Sequence, residues 1–174
     1  MIKRGKKAQT TFGLSFGMIF SIILIIAFVS VAFYAIAHFL SLNKCTQVGL
    51  FLTDLQKEID RAWTSGSYKD TFEGSLPSSG FFAAKITHVC FGLLTSPTAP
   101  GSKSEELNSK FESYYSNSDS NIFLEPPESA CNGKLAKKKL QHIQTSEFFC
   151  LPANGKLRVR IEKGATDTLV AIKK

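Results

Sequence analysis

Four cysteines, Cys45, Cys90, Cys131 and Cys150, are the residues best equipped for chemistry in this 174-residue sequence. Their successive spacings of 45, 41 and 19 residues contain no CxxC pair, the close spacing that zinc sites usually use. An even number in an exported domain reads instead as two disulfides. Three pairings are open, and spacing does not choose among them. The histidines His38, His88 and His142 stand far apart and share no metal-ligand spacing with an acid or a cysteine. Glu105 and Glu106 adjoin one another in a serine-rich stretch and read as solvated surface. No GxSxG, HExxH, Walker or GxGxxG pattern occurs. The expectation is therefore a non-enzymatic chain with neither metal nor cofactor. Lys134, Lys137, Lys138 and Lys139 form the one basic cluster suited to an anionic partner, with a solvated helix face as the simpler reading. No Asn-x-Ser/Thr sequon is present.

The elements that position these residues begin with an unusual N-terminus. Lys3, Arg4, Lys6 and Lys7 fall within residues 1–8 without an acid, and from Phe12 to Leu40 no charged side chain occurs. That run would form a helix about 43 Å long, more than the ~30 Å a bilayer core requires. Soluble helices rarely lack a polar face over so many turns. It is also too long for the apolar core of an ordinary cleaved signal. The flanking charge places the N-terminus in the cytoplasm and residues 41–174 outside. Gly13, Gly17 and Ser21 follow one another at four-residue steps, a face on which a second helix could pack closely. His38 falls at the outer interface. The formal charge of +7 is thus uneven: four of those charges belong to the leader, and the rest of the chain gives no case for nucleic acid.

The junction KKAQTTFGLSFGMIF resembles the class III signal peptide of archaeal type IV pilins and their relatives. Lys6 and Lys7 precede the small residue Ala8, and Gln9 and two threonines lead straight into the apolar helix. The resemblance implies that a prepilin-type peptidase cuts between Ala8 and Gln9 on the cytoplasmic side, leaving the helix on the mature protein. Ala8 stands where glycine is commoner. Gly13 stands at the fifth mature position, where bacterial pilins carry a glutamate that many archaeal pilins lack.

Beyond Ser41 the pattern turns amphipathic. Val48, Phe51, Leu52, Leu55, Ile59 and Ala62 or Trp63 recur at three- and four-residue steps, predicting a helix that stops near 64–66 and packs on the chain's own sheet. A strand is expected around Ile86–Leu93. A short helix is expected where Ser102 and Glu105 have capping-box spacing and Leu107, Phe111 and Tyr114 follow. Residues 134–143 read as another short basic helix, and HIQTSEFFCLP as a strand. Asn154-Gly155 marks a tight turn, and KLRVRIE alternates as a half-buried strand paired with the terminal TLVAIKK.

The expected architecture is α+β: a basic leader (1–8), a transmembrane helix (9–40), an amphipathic extension (41–66) and an extracytoplasmic globular domain (67–174). That domain would hold a small antiparallel sheet, stabilised by disulfides. The expected function is a membrane-anchored, pilin-like subunit of a filament, whose partners are the bilayer and neighbouring copies. A non-polymerising single-pass protein with an extracellular binding domain, or an accessory subunit of a secretion or envelope complex, are the alternatives.

Overall fold

The computed structural model describes residues 10–77, 85–116 and 118–174. The chain divides into two compact units, residues 1–39 and 40–174. A single helix, α1 (Thr10–Thr64), supplies all the described structure of the first unit and opens the second.

In the second unit α1 is followed by β1 (Tyr68–Ser75), β2 (His88–Phe91), α2 (Lys103–Tyr115) and β3 (Ile122–Glu125). A 3-10 turn (Pro127–Ser129), β4 (Lys137–Lys138), β5 (Ile143–Gln144), β6 (Phe149–Pro152), β7 (Lys156–Lys163) and β8 (Val170–Lys173) complete it. The strands form two four-stranded sheets, ordered β1-β7-β8-β5 and β4-β3-β2-β6. Every pairing is antiparallel except the two-residue β5–β8 contact.

The amphipathic part of α1 organises this unit. Val48, Phe51, Leu52, Leu55, Ile59 and Ala62 are all buried, in one cluster with Leu157, Val159 and Ile161 of β7 and with Val89, Ile122 and Leu124 of the second sheet. Ala62 completes the stripe, whereas Trp63 stays 40% exposed. The alternation of KLRVRIE holds: Leu157, Val159 and Ile161 face inward while Lys156, Arg158 and Arg160 face out. Strand β1, whose polar sequence carries little strand signal, pairs with β7 along all eight residues. Phe51 of α1 lies so close to β1 that a Cβ at Gly74 would come within 2.5 Å of two of its ring carbons. Only glycine fits there.

Helix α2 begins as its sequence implies. The Ser102 side chain accepts from the Glu105 N–H, and Glu105 accepts in turn from the Gly101 N–H at 2.7 Å. Leu107 and Phe111 are buried against Cys90, Phe123 and Phe148, the opposite face of the second sheet from α1. Tyr115 rather than Tyr114 packs there, Tyr114 being 61% exposed.

Three expectations change. HIQTSEFFCLP is not one strand: it is divided between β5 and β6, which belong to different sheets. Residues 134–143 do not form a helix: Lys137 and Lys138 pair with Phe123 and Ile122 as β4, and Ile143 joins β8. The buried Ala136 and Leu140 are four residues apart and imitate a helical stripe. Cys131, Asn132 and Gly133, however, all take positive φ just upstream, which turns the chain into the sheet. Asn154-Gly155 does make a bend, with Gly155 at φ 80, but it links β6 and β7 in different sheets rather than closing a hairpin.

Substitutions on the α1 stripe should dominate stability. Leu55→Ala removes a fully buried side chain and should cost about 2–5 kcal/mol. Gly74→Val forces Phe51 aside and should cost about 1–3 kcal/mol. Gly66→Ala, in open space, should change stability by less than about 0.5 kcal/mol. Denaturant melts of the full chain in detergent would measure all three.

Candidate functional site

The largest chemical anomaly in the protein is a surface. Every residue from 17 to 40 is exposed, including Met18 at 72%, Phe28 at 72% and Tyr34 at 75%. An 18-residue window of this helix has a mean hydropathy of 2.8 and none of it is buried. The helix is long and apolar enough to cross a membrane, and residues 17–40 contain no Lys, Arg, Asp or Glu. Its two serines are satisfied internally: Ser21 donates to the Gly17 carbonyl and Ser30 to the Ile26 carbonyl, each at 2.8 Å. Such back-bonding leaves the hydroxyls no need of water. Gly13 lies within the helix. Gly17 opens on empty space, with nothing within 4 Å of where a Cβ would stand. Tyr34 and His38 stack with ring centroids 6.3 Å apart. The expected processing residues Lys6, Lys7, Ala8 and Gln9 lie outside the described residues.

The second unit holds its part of α1 by three fastenings. The first is covalent: Cys45 bonds to Cys131, closing 86 residues of chain. Cys90 and Cys150 face one another across β2 and β6 and form the second disulfide, so all four thiols are consumed.

A polar clasp lies further along the helix. Gln56 accepts from the Gln141 N–H at 2.9 Å and donates to Asp60 at 2.8 Å. Asp60 also meets His142 Nδ1 at 3.2 Å. His142 stacks on Trp63 at 3.8 Å between centroids with the rings 4° from parallel, and Trp63 donates to the Thr168 carbonyl.

The helix end forms the third fastening. Lys163 Nζ donates to the carbonyls of Trp63 and Ser65 at 2.6 and 2.8 Å, a cation placed on the negative end of the helix dipole. Nearby Tyr68 donates to Glu58. Burial, followed by that carboxylate, pushes the phenol up to about 12, so the hydroxyl remains a donor at any ordinary pH.

Two lysines of the expected basic cluster have partners within the chain. Lys137 lies over the Tyr115 ring at 4.7 Å, while Lys139 pairs with Asp119 at 2.9 Å. Lys138, the neighbour of Lys137 on β4, projects from the opposite face of that strand. Lys134 sits in the turn that follows Cys131. Periodicity did not reveal Lys163 or the Gln56–Asp60–His142 clasp, and it offered Trp63 only as a member of the apolar stripe. The signal available was the single tryptophan beside a helix end. Among the described residues no group of three or more His, Cys, Asp or Glu is arranged to hold a metal ion. A groove of about 610 Å³ lies between Gln47, Leu50 and Asp54 of α1 and residues 72–76 at the end of β1.

No known family model, curated protein or solved structure matches this chain.

Two outcomes follow from this geometry. Non-reducing digests should yield peptides joining Cys45 to Cys131 and Cys90 to Cys150, with no thiol open to alkylation. Replacing the first pair by alanines should cost about 2–5 kcal/mol. The second concerns pH. Burial, reinforced by Lys103, holds the His88 imidazole below its ordinary value of 6.5, against the opposing pull of Glu125 and Glu106. Below that value the unfolded chain binds a proton that the folded chain declines. The neutral ring's contribution to stability is therefore complete above pH ~6.5 and is lost as pH falls. Melting temperatures measured between about pH 7 and pH 5 should decline less steeply in His88→Gln than in the parent.

Proposed function

We propose that this chain is a pilin-like structural subunit, anchored by its apolar helix and able to assemble into a type IV pilus-like filament. The observation that carries the reading is the helix surface over residues 17–40, strongly apolar, without Lys, Arg, Asp or Glu, and exposed throughout. A surface of that kind needs lipid or other helices around it. In the proposed cycle hydrocarbon covers it first, with the basic N-terminus in the cytoplasm and residues 41–174 outside. A prepilin-type peptidase then cuts between Ala8 and Gln9, and the helix exchanges lipid for the helices of neighbouring copies in a filament core. The open face of Gly17 and Ser21, continued towards Gly13, supports close approach of a second helix. The second unit would serve as the exposed head. Its three fastenings on α1 support this role, because a head that carries load in a filament must not peel from its helix. No catalytic step belongs to this function.

Mass spectrometry of the membrane and extracellular fractions tests it. The mature N-terminus should be Gln9, and sheared extracellular filaments should contain the protein. Lys7→Glu should reduce both processing and filament yield at least ~10-fold, a free-energy difference of about 1.4 kcal/mol at the peptidase step. An intact Met1 in the membrane fraction would sink the processing claim. A protein that begins at Gln9 yet stays in the membrane would sink polymerisation, leaving an anchored domain as the function.

A further inference from the structure

The sequence contains two Asn-Gly pairs, Asn132-Gly133 and Asn154-Gly155, in each of which the asparagine is exposed and the glycine half-buried. Glycine after asparagine is the setting in which a backbone amide can reach the asparagine side chain, because no Cβ blocks the approach. The two pairs differ in what meets the side-chain amide. Lys85 Nζ donates to Asn154 Oδ1 at 2.8 Å, whereas no cation meets the Asn132 side chain among the described residues. The backbone around Asn154 is also set. The Ala153 N–H donates to the Thr87 carbonyl at 2.8 Å and the Leu76 N–H to the Gly155 carbonyl at 3.0 Å. The Gly155 N–H itself meets no acceptor among the described residues.

The geometry points to Asn154 as a site of self-modification, with Lys85 as the group that promotes it. Solvent hydroxide removes the Gly155 amide proton, and that nitrogen attacks Asn154 Cγ. A C–N bond forms and negative charge collects on Oδ1, where the Lys85 ammonium already sits as a hydrogen-bond donor. The side-chain nitrogen takes a proton from water and leaves as ammonia, closing a five-membered cyclic imide between residues 154 and 155. Water then opens the imide at either carbonyl, giving aspartate or isoaspartate. The net change is one water consumed and one ammonia released, with no oxidant or reductant. The product carboxylate faces Lys85, so a cation–amide contact becomes an ion pair. The isoaspartate form also adds one backbone atom to the link between β6 and β7, the crossover from one sheet to the other. The step needs only the folded second unit and does not rest on filament assembly.

The chain supplies its own comparator. The full protein in detergent would be incubated in mildly alkaline buffer, then digested under acidic conditions. Peptide masses would be followed for the gain of about one dalton at each pair, and isoaspartate would be identified by fragmentation. In the folded protein Asn154 should convert several-fold faster than Asn132. In the reduced, denatured chain the two should convert at similar rates, since both are followed by glycine. Lys85→Met should slow Asn154 several-fold and leave Asn132 unchanged. Circular dichroism melts would verify that the variant is folded, and Lys85→Arg, which keeps a cation, should retain most of the rate. Conversion of Asn154 no faster than Asn132 in the folded state would overturn the proposal. So would a folded Lys85→Met protein that converts Asn154 at the parent rate.

Discussion

The second unit depends on one apolar stripe. Val48, Phe51, Leu52, Leu55, Ile59 and Ala62 of α1 are buried among residues from both sheets. Neither four-stranded sheet has a complete core without that helix. The β7 side chains Leu157, Val159 and Ile161 and the β3 side chains Ile122 and Leu124 meet around it. This dependence explains why a glycine stands at position 74, where β1 and the Phe51 ring come too close for any side chain. It also explains why a long polar strand such as β1 is held at all: full-length pairing with β7 compensates for a sequence poor in apolar residues.

The fastenings act on different physical terms. The two disulfides restrict the unfolded chain over separations of 86 and 60 residues, which contributes stability before any contact in the folded state is counted. The Gln56–Asp60–His142 clasp and the Lys163 cap instead satisfy polar groups at the helix flank and end, each worth about 1 kcal/mol or somewhat more where a charge takes part. The 126–136 segment is held both by the bond from Cys131 to Cys45 and by Ala130 and Ala136, which are fully buried in the core.

How much of this could be foreseen depended on whether one term ruled a segment. The uncharged run before Leu40 and the Val48–Ala62 stripe carry their periods openly, and the alternation of Leu157, Val159 and Ile161 is equally plain. Ser102 and Glu105 marked the start of α2 because capping is a local interaction. The segment from Lys134 to Ile143 misled because Ala136 and Leu140 sit four apart. Three consecutive positive-φ residues and a disulfide partner 86 residues away decided its shape. The clasp was invisible for a related reason. Gln56 and Gln141 are 85 positions apart, Asp60 and His142 are 82 apart, and no local rule joins them. The apolar run spells out its own helix, but what finally covers that surface lies beyond anything the run encodes.

The protein has a single tryptophan, and it sits at the meeting point of three segments. Trp63 lies face to face with the His142 imidazole, while its indole N–H reaches the carbonyl of Thr168. Its fluorescence therefore arises from one known environment, with no second indole to blur it. Separation of the helix end from the 141–142 and 168 loops would remove both contacts and change that environment. The molecule thus carries an intrinsic optical gauge of whether its head is seated, and that gauge can be read without any label.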